Sequence, residues 1–80
     1  MNDISKFIRS IPTREQIRIE EVISKIKSGD ISGLDIKKLR GYSDMFRVRI
    51  GNYRIICRHN EQYGFIVVKV TRRNDTTYNF

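Results

Sequence analysis

Arginine stands at alternate positions in FRVRI (46–50) and returns in YRIICR (53–58), and only Gly51-Asn52 separates the two runs. A guanidinium stays charged at every physiological pH and presents a planar fork of donors. A row of them suits phosphate better than proton transfer or metal binding. The chemistry open to such a row is a grip on a polyanion, or stabilisation of charge that builds on a phosphoryl group in a transition state. Residues 36–58 carry seven basic side chains (Lys37, Lys38, Arg40, Arg47, Arg49, Arg54 and Arg58) against one acid, Asp44, a local charge of +6 in a chain of net charge +7. The field is therefore concentrated, and it points to nucleic acid, an anionic membrane or an acidic protein as partner.

Other chemistries lack their residues. There is no P-loop, no GxGxxG and no zinc ligand set, so neither a metal nor a small-molecule cofactor is expected. The lone histidine, His59, falls in an expected polar turn over 59–64 with Glu61, and both read as solvated surface groups. Without His59 no Ser-His-Asp triad can be assembled. Cys57 reads as a small buried hydrophobe, and one cysteine forms no internal disulfide.

The elements that must position the arginines follow from periodicity. Strands are expected over 46–50 and 53–58, with Gly51 at the first central position of a type II′ turn. Ile50 then faces Tyr53, Arg49 faces Arg54, Val48 faces Ile55 and Arg47 faces Ile56. Side chains alternate with period two. One face carries Val48, Ile50, Tyr53, Ile55 and Cys57; the other carries Arg47, Arg49, Arg54 and Arg58 around Ile56. A slip of one residue would bury the arginines, which fixes the register. Arg49 across from Arg54 sets like charges opposite each other, an arrangement that destabilises a sheet. The arginine face is either a splayed, solvated surface or a surface that waits for a polyanion.

Upstream, Ile4, Phe7, Ile8 and Ile11 make one stripe of a short helix that Pro12 ends. Thr13 and Gln16 match a capping box, and Ile19, Val22, Ile23 and Ile26 make the stripe of a second helix. Glu21 and Lys25 form an expected i, i+4 pair on its wet side, and Gly29 stands at C′. Residues 30–45 read as connection, pinned by Leu34, Ile36 and Leu39. In it, Lys37, Lys38 and Arg40 are either solvated loop charge or a rim where a polyanion enters. FIVVKVT (65–71) reads as a third strand, central or well covered because its apolar run is nearly continuous. Residues 72–80 are polar and end with Tyr78 and Phe80. The order implies one α+β domain over 1–80, an antiparallel sheet with a helical hairpin on its apolar face. No apolar run approaches the roughly 18 residues of a spanning helix, and no export signal is evident, so the expected compartment is the cytoplasm without membrane association.

KKLRG (37–41), FRVRIGNYRII (46–56), a short strand, and RR with a later Tyr resemble the RelE/ParE superfamily of toxins from bacterial and archaeal toxin–antitoxin systems. The likeness covers residues 7–78, including the SIP turn between the helices. It implies a small twisted sheet with a helical hairpin on one face, here with the extra N-terminal strand of many members missing or short. RelE-like members cleave mRNA in the ribosomal A site, where the ribose 2′-OH attacks the adjacent phosphate. By motif, Arg47 and Arg49 match two basic positions before the hairpin turn, and Arg54 matches the Arg of G-x-Y-R. Arg73, or Arg72 by a shift of one, matches the C-terminal Arg, and Tyr78 the Tyr after it. The resemblance thus implies a catalytic set of Arg54, Arg73, Tyr78 and Arg49, with RNA-binding contacts from Arg47, Lys37, Lys38, Arg40, Arg58 and Arg72. Well-studied RelE-like enzymes carry Lys where this chain has Arg47 and Arg49, and an Arg is no ordinary general base. The partners implied are a cognate antitoxin, the ribosome and mRNA. Two alternatives stand: a ParE-like inhibitor of DNA gyrase without catalysis, and a degenerate member that only binds nucleic acid or antitoxin.

Overall fold

Two apolar stripes at helical spacing and three apolar strand faces have to be buried against one another, and the architecture is the solution. In the computed structural model, which describes residues 3–73, the order is α1 (Asp3–Arg9), α2 (Thr13–Ser28), β1 (Asp35–Lys38), β2 (Met45–Ile50), β3 (Tyr53–Asn60) and β4 (Gly64–Arg72). The strands form one antiparallel meander in the order β1-β2-β3-β4. Both helices pack on one face of this sheet, which makes the α+β fold expected from the sequence. Among the described residues no strand precedes α1, and no helix is long and apolar enough to cross a membrane.

The core between helices and sheet is built from Ile8, Ile11, Ile19 and Ile26 on one side and Val48, Ile50, Tyr53, Ile55, Cys57 and Val70 on the other. These are the helix stripes and the hairpin face read from the sequence. The hairpin register agrees pair for pair: Ile50 faces Tyr53, Arg49 faces Arg54, Val48 faces Ile55 and Arg47 faces Ile56. Gly51 has φ +54 and no described non-glycine residue has a positive φ, so one left-handed residue makes the turn, as a type II′ geometry requires. Gly29, at φ +83, closes α2 in a Schellman arrangement. Its N–H donates to the Ile26 carbonyl, and the Asp30 N–H to that of Lys25.

Five expectations are corrected. First, residues 30–45 are not all connection, because Asp35–Lys38 pair with β2 as a fourth strand. This strand is short, exposed and at the edge, so it lacks the alternation that marks a half-buried strand, and its lysines suit an unpaired edge. Second, β4 is not central but the opposite edge. Its helix-side residues account for part of the apolar run, while Ile66 and Val68 are 44% and 37% exposed. A β-bulge against Ile56/Cys57 also breaks its alternation. Third, the capping box does not form. The N-cap is Pro12, and the Gln16 side chain donates instead to the Ile11 carbonyl at 2.7 Å. Thr13 is already the first helical residue, one place too late to cap, and Pro12 at the N-cap has no side-chain acceptor to offer. Fourth, His59 is not in the turn but in β3, one residue before its end, with its ring edge-on to Phe65 at 4.8 Å between ring centres. Glu61 does lie in the turn, which Asn60 braces by accepting the N–H groups of Gln62 and Tyr63. Fifth, the expected Glu21–Lys25 pair does not form, because both side chains are exposed and their attraction in water barely offsets their lost freedom.

Cys57 is fully buried, and burial pushes its thiol up to about 11. The thiolate, which is the reactive form, is therefore disfavoured in the fold. An acid whose pKa is raised in the native state stabilises below its unfolded value and loses that contribution as pH climbs toward the folded one. Stability should thus decline between about pH 9 and pH 11, and Cys57→Ala should flatten that decline. A disulfide-exchange probe at pH 8 should label Cys57 only when denaturant is added; rapid labelling of the native protein would contradict its burial.

Candidate functional site

The meander carries the arginine face across all four strands. Successive residues point to opposite sides, so the register sets cross-strand rows. Asp35, Arg49, Arg54 and Thr71 form one row, Lys37, Arg47, Ile56 and Lys69 the next, and Met45, Arg58 and Ile66 a third. This face turns away from the helices. It has an apolar centre of its own, because Met45 and Ile56 are almost completely buried there.

The cations on this face differ in how they are held. Arg47, only 12% exposed, places Nη1 at 3.6 Å from Asp35 Oδ1. That nitrogen has no hydrogen-bond partner among the described residues. Arg58 Nε lies 3.4 Å from Asp44 Oδ2, with both side chains about half exposed. These two arginines therefore each stand beside a carboxylate. Arg49 is exposed on the turn side of that pair. Arg54 is half-buried, and its Nη2 donates to the Arg73 carbonyl at 3.0 Å. Arg73 is fixed in turn: its N–H donates to the Asn52 carbonyl at 2.8 Å, and Nη1 reaches the Gly51 carbonyl at 3.4 Å. The turn end of the sheet thus gathers Arg49, Arg54 and Arg73, two of them locked to backbone. Such fixed donors can meet developing negative charge without reorganising.

The structure divides the expected residues. Lys37, Arg47, Arg49, Arg54 and Arg58 share the open face, and Arg73 joins them at the turn. Arg40 is exposed in the turn after β1. Lys38 and Arg72 lie on the other side of the sheet, opposite Phe46 and Tyr53. The guanidinium of Arg72 stands 5.7 Å from the centre of the Phe7 ring and 5.9 Å from that of Tyr53, a cation–π contact that serves packing. Tyr78 lies outside the described residues. Lys69 and Thr71 were missed in the sequence, where the apolar run of β4 hid the fact that they alternate onto the arginine face.

Directly behind Arg54 stands Tyr53, nearly buried and edge-on to Phe7 at 5.9 Å. Its hydroxyl donates to Glu15 Oε2 at 2.6 Å. That hydrogen bond, burial and the Glu15 charge raise the tyrosine pKa, against the opposing pull of Arg72. A cavity of about 560 Å³ opens on the helix side between α1, α2 and β4, away from the arginines. Among the described residues no group of His, Cys, Asp and Glu could hold a metal ion.

Fold and face together define a small α+β protein with a cationic open sheet. No family model matches the chain. It is 36% identical over 53 residues to Toxin RelE3 of Methanocaldococcus jannaschii, a stretch that is 62% of this chain and 60% of that relative. The chain therefore matches under two thirds of the length of that relative. The fold resembles that in the crystal structure of a RelB–RelE antitoxin–toxin complex from Methanococcus jannaschii, with TM-score 0.74 and 29% identity over 91% of this chain and 87% of that one. It also resembles an archaeal RelE–RelB complex from Pyrococcus horikoshii OT3, with TM-score 0.71 and 25% identity over 92% and 90% of the two chains. In sequence and in fold the chain is thus similar to RelE toxins, the group whose motif its sequence resembles.

Among the described residues, the Asp35 carboxylate is the acid that stands beside Arg47. Asp35→Asn should release it and remove a negative charge from the face. The variant should elute from heparin at higher salt than the parent, and by more than Asp30→Asn, which changes net charge equally on the far loop. Equal shifts would mean that only net charge matters.

Proposed function

We propose that the chain is the toxin of a RelE–RelB-type toxin–antitoxin pair and a ribosome-dependent endoribonuclease. The mRNA lies across the open face, and the ribose 2′-OH attacks the adjacent phosphate. The 2′-O–P bond forms as the P–O5′ bond breaks, the 2′-OH proton passes to solvent water, the departing 5′-oxygen takes a proton from water, and negative charge grows on the non-bridging oxygens. The observation that carries this reading is the arginine cluster at the turn, where Arg54 is held on the Arg73 carbonyl and Arg73 on the Gly51-Asn52 turn. Arg54 and Arg73 neutralise the charge that develops. Arg49, exposed beside them, and Arg47 with Lys37 and Arg58 hold the backbone. Tyr78 stacks on a base or orients the 2′-OH. Similarity to a RelE toxin in sequence and to RelE chains in fold supports the toxin role, and the neighbours solved as antitoxin–toxin complexes support a cognate antitoxin as partner. The reaction as written uses no metal or cofactor, and its place is the cytoplasm, where ribosomes and antitoxin meet it.

Induction without antitoxin should stop translation first, and primer extension on cellular mRNA should reveal new ends within codons. Arrest of DNA synthesis ahead of protein synthesis, with mRNA intact, would establish gyrase inhibition instead.

Arg54→Ala should lower single-turnover cleavage of ribosome-bound mRNA by roughly 10²–10³-fold, the loss typical of one preorganised donor. Arg47→Ala should act mainly on KM, because its charge is already offset by Asp35 and contributes to binding more than to the chemical step. Circular dichroism would establish that both variants fold. Equal losses in the chemical step would refute this division, and full activity in Arg54→Ala would remove the site itself.

A further inference from the structure

The positive surface does not stop at the edge of the sheet. Arg18, on the exposed side of α2, reaches down over the hairpin turn. A methyl group placed on Gly51 would lie 3.2 Å from its Nη1. The guanidinium therefore rests above the Cα of Gly51, two residues from Arg49 and against the same turn whose carbonyls hold Arg73. A cavity of about 230 Å³ opens beside it, bordered by Arg18, Val22, Leu34, Asp35, Val48 and Arg49 among others. Its wall is apolar and its rim carries two arginines. The rim's one acid, Asp35, is already engaged by Arg47. Neither Arg18 nor Arg49 has a carboxylate partner among the described residues.

We propose that Arg18 and Arg49 form a phosphate-binding subsite at the turn end, which receives an RNA phosphate next to the one held by Arg54 and Arg73. The inference rests on the RNA-directed reading above and names a contact within it. Arginine is suited to the task because its fork can bond two phosphate oxygens while its stem lies along apolar surface. Where the mRNA supplies the phosphate, the subsite lets its backbone leave the open face around the turn, toward the helix side. The ligand chemistry is an RNA phosphodiester, which either the mRNA or the ribosomal RNA could supply.

The test is equilibrium binding of the full chain over a range of salt, since each phosphate neutralised on a single strand adds about 0.7 to the slope of log affinity against log salt. One arm uses ribosomes programmed with mRNA that is 2′-deoxy at the scissile position, which blocks cleavage. A second uses empty ribosomes. Arg18→Gln keeps a good helix former at an exposed position, so circular dichroism should be unchanged. Its slope should fall by about one contact and its affinity several-fold, while Arg18→Lys recovers most of the slope. A loss seen only with programmed ribosomes assigns the phosphate to mRNA, and a loss in both arms assigns it to ribosomal RNA. An unchanged slope in folded Arg18→Gln, with parent binding intact, overturns the subsite alone. Failure of the parent to bind either ribosome overturns the subsite together with the reading beneath it.

Discussion

The register of the β2–β3 hairpin is the constraint on which everything else depends. Gly51 supplies the left-handed residue of the turn, and period two does the rest. Every second residue from Tyr53 to Cys57 goes into the core and every residue between goes to the open face. The register is defended from both sides. A slip would bring Ile50, Val48 and Ile55 into water and drive arginines into an apolar core, where an unpaired charge is costly. Two further contacts close over the turn. The Arg73 N–H donates to Asn52, so β4 ends where β3 begins, and Arg18 presses on Gly51 from the helix side. Any side chain at position 51 would meet both an unfavourable φ and that guanidinium.

The open face works against stability. Arg49 directly opposite Arg54 is a like-charge pair, and Lys37 stands opposite Arg47. The face tolerates this because Asp35 and Asp44 sit beside Arg47 and Arg58, while the buried Met45 and Ile56 give the arginine stems an apolar bed. Toward the turn, Arg49, Arg54 and Arg73 gather, the last two held on backbone carbonyls. A like-charge pair kept on a sheet face breaks a local rule, which is a usual mark of a functional surface, and this pair falls where the chemistry is proposed.

Much of this was legible in the sequence because it is written in short periods. The helix stripes from Ile4 to Ile26 and the pairing of the hairpin follow from spacings of 3.6 and 2. What escaped notice depends on contacts between distant segments. β1 has no period because it is a four-residue edge strand, exposed at three of its positions. The bulge opposite Ile56/Cys57 shifts β4 by one residue, so counting along FIVVKVT could not say that Lys69 and Thr71 join the arginines and Arg72 does not. Arg18 looks like any wet-side helix residue until α2 is laid across the turn. The sequence did contain enough to set Arg73 near the hairpin by its family motif, but the bond from Arg54 to its carbonyl is a tertiary fact.

The helices take part in the site without touching the open face. Tyr53 and Arg54 are neighbours that point to opposite sides, so whatever fixes one fixes the backbone beneath the other. Tyr53 is gripped at its hydroxyl by Glu15 of α2, at its ring edge by Phe7 of α1, and over its ring by Arg72 of β4. Three separate elements therefore converge on the residue that precedes Arg54. On the other side, Arg54 is tied to the residue that follows Arg72. A side chain held at both its backbone and its guanidinium loses little further freedom when a phosphate arrives, and preorganisation of that kind separates a group that stabilises a transition state from one that only attracts its ligand. The helical hairpin, which supplies one side of the core, is thus also the brace for Arg54, and mutations at Glu15 or Phe7 act on the open face through Tyr53.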